Sequence, residues 1–150
     1  MSLKLVVDNT LPPMNDGQLC NMYKLHKAME QLPQIQIETT HTLHAGLYAR
    51  TVHVPRGVLV MGVLIARATL LIVHGHATVI MGDRATEING HAELRGAGGR
   101  KQAALAHSET YFTMVFPTDA ATVEEAEAEF TTEAEQLQTR QTQGAEPCPE

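Results

Sequence analysis

Residues 69–99 read TLLIVHGHATVIMGDRATEINGHAELRGAGG, and this stretch decides how the chain is understood. Short apolar or alternating runs, Thr69 to Val73, Ala77 to Met81, Arg84 to Ile88 and His91 to Arg95, are separated by Gly75, Gly82-Asp83, Asn89-Gly90 and the loop Gly96-Ala97-Gly98-Gly99. Each run is too short for a stable helix and rich enough in Val, Ile, Thr and Leu for a strand. Gly and Asn supply the positive φ that tight hairpin turns demand, so Gly82-Asp83 reads as a turn and Asn89-Gly90 as the strongest short hairpin signal in the chain. Gly75 separates the first two of these runs.

The same pattern extends in both directions. Tyr48 to Val54 ends at Pro55-Arg56-Gly57, Val58 to Ile65 follows, and Lys101 to Ala106 and Thr110 to Phe116 complete the series. Many short strands at even spacing between Gln36 and Pro117 predict a sandwich or barrel. On the N-terminal side, Leu3 to Val7 reads as a strand and Asp8 to Pro13 as turn-rich. Leu19, Met22, Tyr23, His26, Met29 and Leu32 then fall at helical spacing. That predicts a helix from about Asp16 to Gln31, with Asn15 or Asp16 as cap and Pro33 as stop. After Pro117, Thr122 and Glu125 have capping-box spacing, and Val123, Ala126, Phe130, Ala134 and Leu137 line one stripe of a helix to about Gln138. The expected organisation is a strand and helix over 1–35, a β-barrel over 36–118, an amphipathic acidic helix over 119–138 and a disordered tail over 139–150. A stripe this narrow docks on the barrel or on another subunit, leaving the acidic face solvated.

Composition narrows the functional classes. The chain has 150 residues, 43% hydrophobic and 19% charged, enough for one soluble domain with its own core. Aromatics are 4% with no Trp, so packing rests on aliphatic side chains and each aromatic position matters. The net charge of −6 is uneven: residues 1–118 hold 10 Lys+Arg and 8 Asp+Glu, while residues 119–150 hold 9 Asp+Glu and only Arg140. A near-neutral body with an acidic tail lacks the basic footprint of a nucleic-acid binder. Cys20 and Cys148 form neither a disulfide framework nor a zinc pattern, and Cys20, beside Leu19 on the first helix, is expected buried and inert. The N-terminus lacks the apolar stretch of a signal peptide, and the apolar run Val58 to Val73 is interrupted by Arg67 and too short to cross a membrane. The expected location is the cytoplasm, with no membrane partner.

One set of motifs is more specific. Gln31-Leu32-Pro33-Gln34, Thr40-His41, Gly46-Leu47-Tyr48 with Arg50, and Pro55 with Gly57 are followed by His107-Ser108-Glu109-Thr110 and Phe116-Pro117-Thr118-Asp119. In this order and spacing they resemble the cupin-like proteins of phages and prophages over residues 28–130. The resemblance implies an all-β cupin-like fold, a double-stranded β-helix with flanking N-terminal and acidic C-terminal helices. It also implies a metal site of three histidines inside the barrel, and the flanking matches place those positions at Ile65, Thr69 and Phe116, with the accompanying carboxylate at Ala68. None of these offers a useful ligand, since a neutral Thr hydroxyl alone is poor, and no His, Cys, Asp or Glu occurs from Val54 to Val73. No metal or cofactor is therefore expected in the barrel, which should instead pack as a more apolar core. The preferred function is non-catalytic: a phage-derived accessory or structural protein that forms a homo-oligomer or binds a phage or host protein, in the host cytoplasm or in the virion. The rivals are a metal-dependent isomerase, epimerase or oxygenase, a metal-free small-molecule binder, and an inhibitor of a host defence.

The remaining candidates are weaker. His41, Tyr48 and Arg50 are the best polar lining for a surviving pocket, because Tyr48 and Arg50 share a strand face. His41 alone reads as a structural histidine bonded to its neighbours, and Arg50 alone as a surface ion pair. His74 and His76 have ligand spacing, but Gly75 matches the glycine that turns the chain after the second barrel strand in the resembling proteins, which implies a loop there and two surface histidines. The Gly96–Lys101 loop lacks the strand–loop–helix context of a phosphate loop. Ser108 beside His107 cannot form a catalytic pair, since strand neighbours point to opposite faces.

Overall fold

The structure is a computed structural model that describes residues 9–138; the expected strand at Leu3–Val7 and the tail over 139–150 lie outside them. Eight strands follow one another as β1 (Thr10–Leu11), β2 (Glu38–His44), β3 (Leu47–Val54), β4 (Leu59–Met61), β5 (Thr69–Met81), β6 (Arg84–Gly96), β7 (Ala103–Ala106) and β8 (Thr110–Pro117). Helix α1 (Asp16–Met29) precedes β2, and α2 (Val123–Phe130) follows β8.

Pairing is non-sequential. The main path runs β1-β6-β5-β8-β3-β2, while β7 pairs with both β4 and β5. Strands three, eight, five and six thus form one layer, and four and seven begin the other, which is the interleaving of a double-stranded β-helix. The fold is cupin-like. Inward positions alternate with outward ones along β5 and β8: Thr69, Leu71, Val73, Ala77, Val79 and Met81 of β5 are all buried. These face Phe112 and Met114 of β8 and Ile88 and Leu94 of β6, so the core is mostly aliphatic, as the scarcity of aromatics requires.

Glycine chemistry explains both the agreements and the differences. The turn at Gly82-Asp83 is present, with Gly82 at φ +66° pressed against Gln18 of α1. By contrast, Gly75 and Asn89-Gly90 are not turns. β5 and β6 run unbroken for 13 residues each, and Gly75 and Gly90 face one another mid-ladder at φ +141° and +101°. The N-terminal half of β5 pairs with β8 (Leu70–His74) and the C-terminal half with β7 (Ala77–Ile80), so Gly75 marks the point where the strand passes from one layer to the other. β8 begins there: a Cβ on Gly75 would lie 2.5 Å from Thr110 Oγ1 and 2.7 Å from Glu109 O. His74 and His76 accordingly sit within a strand, not in the expected loop, although His74 is exposed and His76 half-buried.

Smaller corrections have local causes. The turn-rich stretch before α1 includes β1, which adds in parallel to Arg95–Gly96. Asn15 is the cap of α1, in a full capping box with Gln18, and the helix ends at Met29. Only Met22 of the α1 stripe is buried; Leu32 is exposed, and Cys20 is exposed instead of buried. The expected strand Val58–Ile65 shrinks to β4 plus an isolated bridge from Ile65 to Arg100. Lys101 and Gln102 fall outside β7, which begins at Ala103. Thr122 caps α2 through Glu125 N, but the Glu125 carboxylate accepts from Ala121 N, so the reciprocal half of the box is displaced by one residue. The C-terminal helix also breaks at Thr131, whose backbone is extended, and resumes as a short 3-10 turn over Ala134–Gln136. The break lets Phe130 O accept from Ala66 N and Glu133 Oε1 from Leu64 N, which straps the segment to the β4–β5 connection. Among the described residues no helix is long and apolar enough to cross a membrane.

Candidate functional site

Register brings His41, Tyr48 and Arg50 together. His41 of β2 pairs with Arg50 of β3, and Tyr48 pairs with Phe116 of β8, all on the inward face. α2 lies across this end of the sheet and inserts Phe130. Tyr48, Phe116 and Phe130 form a buried aromatic cluster, with ring centroids 5.5 Å apart for Tyr48–Phe116, 6.3 Å for Tyr48–Phe130 and 6.0 Å for Phe116–Phe130. Half of the six Phe and Tyr residues are spent here. Burying each ring is worth roughly 1.5–3 kcal/mol, so this cluster holds α2 down.

Polar groups ring the aromatics. The His41 Nδ1–Tyr48 Oη distance is 2.8 Å. Burial, helped by the Arg50 cation, holds the His41 imidazole below its ordinary range, so at neutral pH an uncharged imidazole shares this bond with the phenol. Burial also raises the Tyr48 phenol, while Arg50 beside it pulls the other way. Arg50 Nη1 lies 3.2 Å from Glu127 Oε2, and both side chains are nearly buried, at 11% and 3% exposure. Arg50 is thus no surface ion pair, and the acidic face of α2 is not wholly solvated. Sequence reading passed over Glu127, yet a signal existed: it is four residues after Val123 and three before Phe130, inside the apolar stripe.

The three positions that the resemblance assigns to metal ligands are differently occupied. Thr69 and Phe116 point inward on neighbouring strands, and Ile65 is buried at its bridge to Arg100. Beside Thr69 and Ile65 lies a group the sequence did not announce. The Arg100 side chain is 1% exposed and donates to Thr69 Oγ1 at 2.6 Å, Ala97 O at 2.7 Å and Gln102 Oε1 at 3.1 Å. Burial lowers its guanidinium to about 10, so it stays charged at neutral pH. A fixed cation bonded to Thr69, with a second, Arg67, 4.5 Å over the Phe116 ring, does not fit a divalent ion. Among the described residues, metal-capable donors converge elsewhere, at His76, Glu87 and His107.

No protein-family model matches the chain, and no curated protein does. Solved structures align with it at low identity. A cupin superfamily protein from Desulfitobacterium hafniense covers 59% of this chain and 83% of its own, at 13% identity and a TM-score of 0.46. An uncharacterised protein with a double-stranded beta-helix domain from Klebsiella pneumoniae covers 61% and 83%, at 15% identity and a TM-score of 0.47. Salicylate 1,2-dioxygenase from Pseudoaminobacter salicylatoxidans covers 75% of this chain and 33% of its own, at 13% identity and a TM-score of 0.49. Neighbours of this fold thus include an enzyme and uncharacterised proteins, and none speaks to the activity of this chain.

The outer face of the same sheet carries a contrasting histidine. His53 stacks on Tyr111 at 4.5 Å and lies between Glu38 and Glu109, at 3.2 and 2.5 Å. Its bonds to Glu38 and Glu109 raise its pKa, whereas His41 titrates low. Stabilisation from His53 is present below its unfolded pKa and is lost as pH rises through the higher folded value. His41 acts in the opposite sense: the fold loses stability as acid protonates it. An NMR titration of the imidazole protons should place the His53 midpoint above, and the His41 midpoint below, the ordinary histidine value of about 6.5. Coincident midpoints would refute both environments.

Proposed function

We propose that this chain is a non-catalytic, phage-derived cupin-like accessory or structural protein, with no metal in its barrel, that acts by self-association or by binding a phage or host protein. The observation that carries the reading is the Arg100 guanidinium bonded to Thr69, one of the three positions that the resemblance assigns to ligands. Ile65, Thr69 and Phe116 are, in this reading, vacated ligand positions. The fold tolerates the buried Arg100 cation there because its three hydrogen bonds, to Thr69, Ala97 O and Gln102, satisfy the guanidinium. His41, Tyr48 and Arg50 then serve to seat α2 and do not line an open pocket.

Support for association comes from the outer face. Ala49, Val115 and Leu70 form one rung of the β3-β8-β5 ladder, with Leu47 and Ile72 beside it, and the bonded pair Thr51–Thr113 separates it from Tyr111. Leu47, Leu70 and Tyr111 are 45%, 40% and 44% exposed. The Leu47–Leu70 end of this face is an apolar patch that a second copy can cover. The phage origin rests on the sequence motifs alone, and recovery of the chain with purified particles checks it.

Two measurements test the reading. Sedimentation velocity over a wide concentration range should give an oligomer that Leu70→Glu dissociates; a monomer throughout removes self-association. Crystals grown with manganese or zinc should show no anomalous peak inside the barrel. A peak there, coordinated from adjacent strands, would restore the enzyme reading.

A further inference from the structure

On the outer face of the second layer, three neighbouring strand segments bring different donors to one point. His76 is on β5, and Glu87 is on β6, where it faces Thr78 two pairs along the ladder from His76. His107 follows Ala106, the partner of Ala77, and so lies beside His76 on its other edge. One donor atom from each of His76, Glu87 and His107 lies within 4.8 Å of the others. We propose that these three side chains form a binding site for a zinc-class divalent ion on the outside of the barrel, separate from its interior.

The backbone holds the site in place. His76 N donates to Thr110 Oγ1 at 3.2 Å, and His76 O accepts from His107 N at 2.7 Å. The two imidazole centroids are 4.7 Å apart. Thr78 Oγ1 lies 2.7 Å from His107 Nε2, the kind of outer-shell bond that orients ligand imidazoles. The His76 Nε2–Glu87 Oε2 distance is 2.6 Å. Ligand bonds of about 2.0–2.1 Å in a tetrahedron separate donors by roughly 3.3 Å, so binding asks this pair to open by less than about 1 Å. The exposed Glu87 side chain can do so by a change of rotamer. Its bond to His76 also lowers the carboxyl pKa, which keeps it an anion at neutral pH.

Two imidazoles and one carboxylate suit zinc, nickel or cobalt, and without a thiolate they do not select soft ions. A fourth position is left to water, as in open zinc sites. The bland alternative is a surface His–Glu hydrogen bond with His107 as a bystander. Convergence of a third donor, anchored by its own main-chain bond to His76, favours the ion. His74 is not part of the site: its ring neighbour is His91, at 6.1 Å.

Isothermal titration calorimetry of the full chain with zinc chloride, repeated with nickel chloride, tests the site. One ion per chain should bind, and His107→Ala and Glu87→Gln should each weaken it at least about tenfold, since even outer-shell losses at metal sites cost that much. His91→Ala should leave binding unchanged. These side chains are exposed, so far-UV circular dichroism should show every variant folded. Absence of saturable binding overturns the proposal. So does binding that survives either His107→Ala or Glu87→Gln, and an ion held inside the barrel would survive both.

Discussion

Gly75→Ala is expected to cost about 4 kcal/mol or more, at the upper end of what single substitutions do. The new methyl group would lie 2.5 Å from Thr110 Oγ1 and 2.7 Å from both Thr110 Cα and Glu109 O, and these are mostly main-chain atoms. They cannot retreat, because Thr110 is fully buried and pairs with Val54 in the β3–β8 ladder. A φ of +141° adds strain for any L-residue with a side chain. Gly90→Ala separates the two causes: its φ is +101°, but nothing lies within 4 Å of the added atom. The Gly90 variant should lose only about 1–3 kcal/mol. In thermal melts the Gly75 variant should fall by roughly 8–16 °C or fail to accumulate as folded protein. Equal melting temperatures for the two variants would show that crossing contact with β8 does not matter.

Glu127→Ala is expected to cost about 3 kcal/mol, because it strands the Arg50 cation under α2. The residual contacts of Arg50, with Tyr48 and with the Phe130 ring at 5.9 Å, are too weak to replace a carboxylate. The melting temperature should drop by roughly 6–12 °C, and α2 should become the first segment to be cut by protease. A paired replacement, Arg50→Met with Glu127→Leu, should recover most of the loss, since packed hydrocarbon can substitute for a buried pair. Should Glu127→Ala alone melt like the parent, the ion pair is not what seats the helix.

How much of this was legible beforehand differs by scale. Local signals located most of the strands, the caps at Asn15 and Thr122, and the shared face of Tyr48 and Arg50, because alternation and capping chemistry are short-range properties. The continuity of β5 and β6 was not legible. Glycine marks a turn and a close backbone approach with the same letter, and only the position of Thr110 decides between them at Gly75. The break at Thr131 was hidden for a like reason: the apolar stripe continues through it, and the contacts that favour the break, from Leu64 and Ala66, are distant in sequence. In the site, the burial of Arg100 had no local sign at all, since an arginine after three glycines reads as solvent-exposed. The convergence of His76 and His107 needed the β5–β7 register, which no spacing rule supplies.

One hairpin, Thr69–Gly96, lends its two strands to both layers of the barrel. The molecule therefore has no seam along that edge. Peeling one layer from the core drags the shared strands with it and exposes the inner side of the other. Partial opening at this place merges into complete unfolding, and the residues of the crease belong to the last unit to give way.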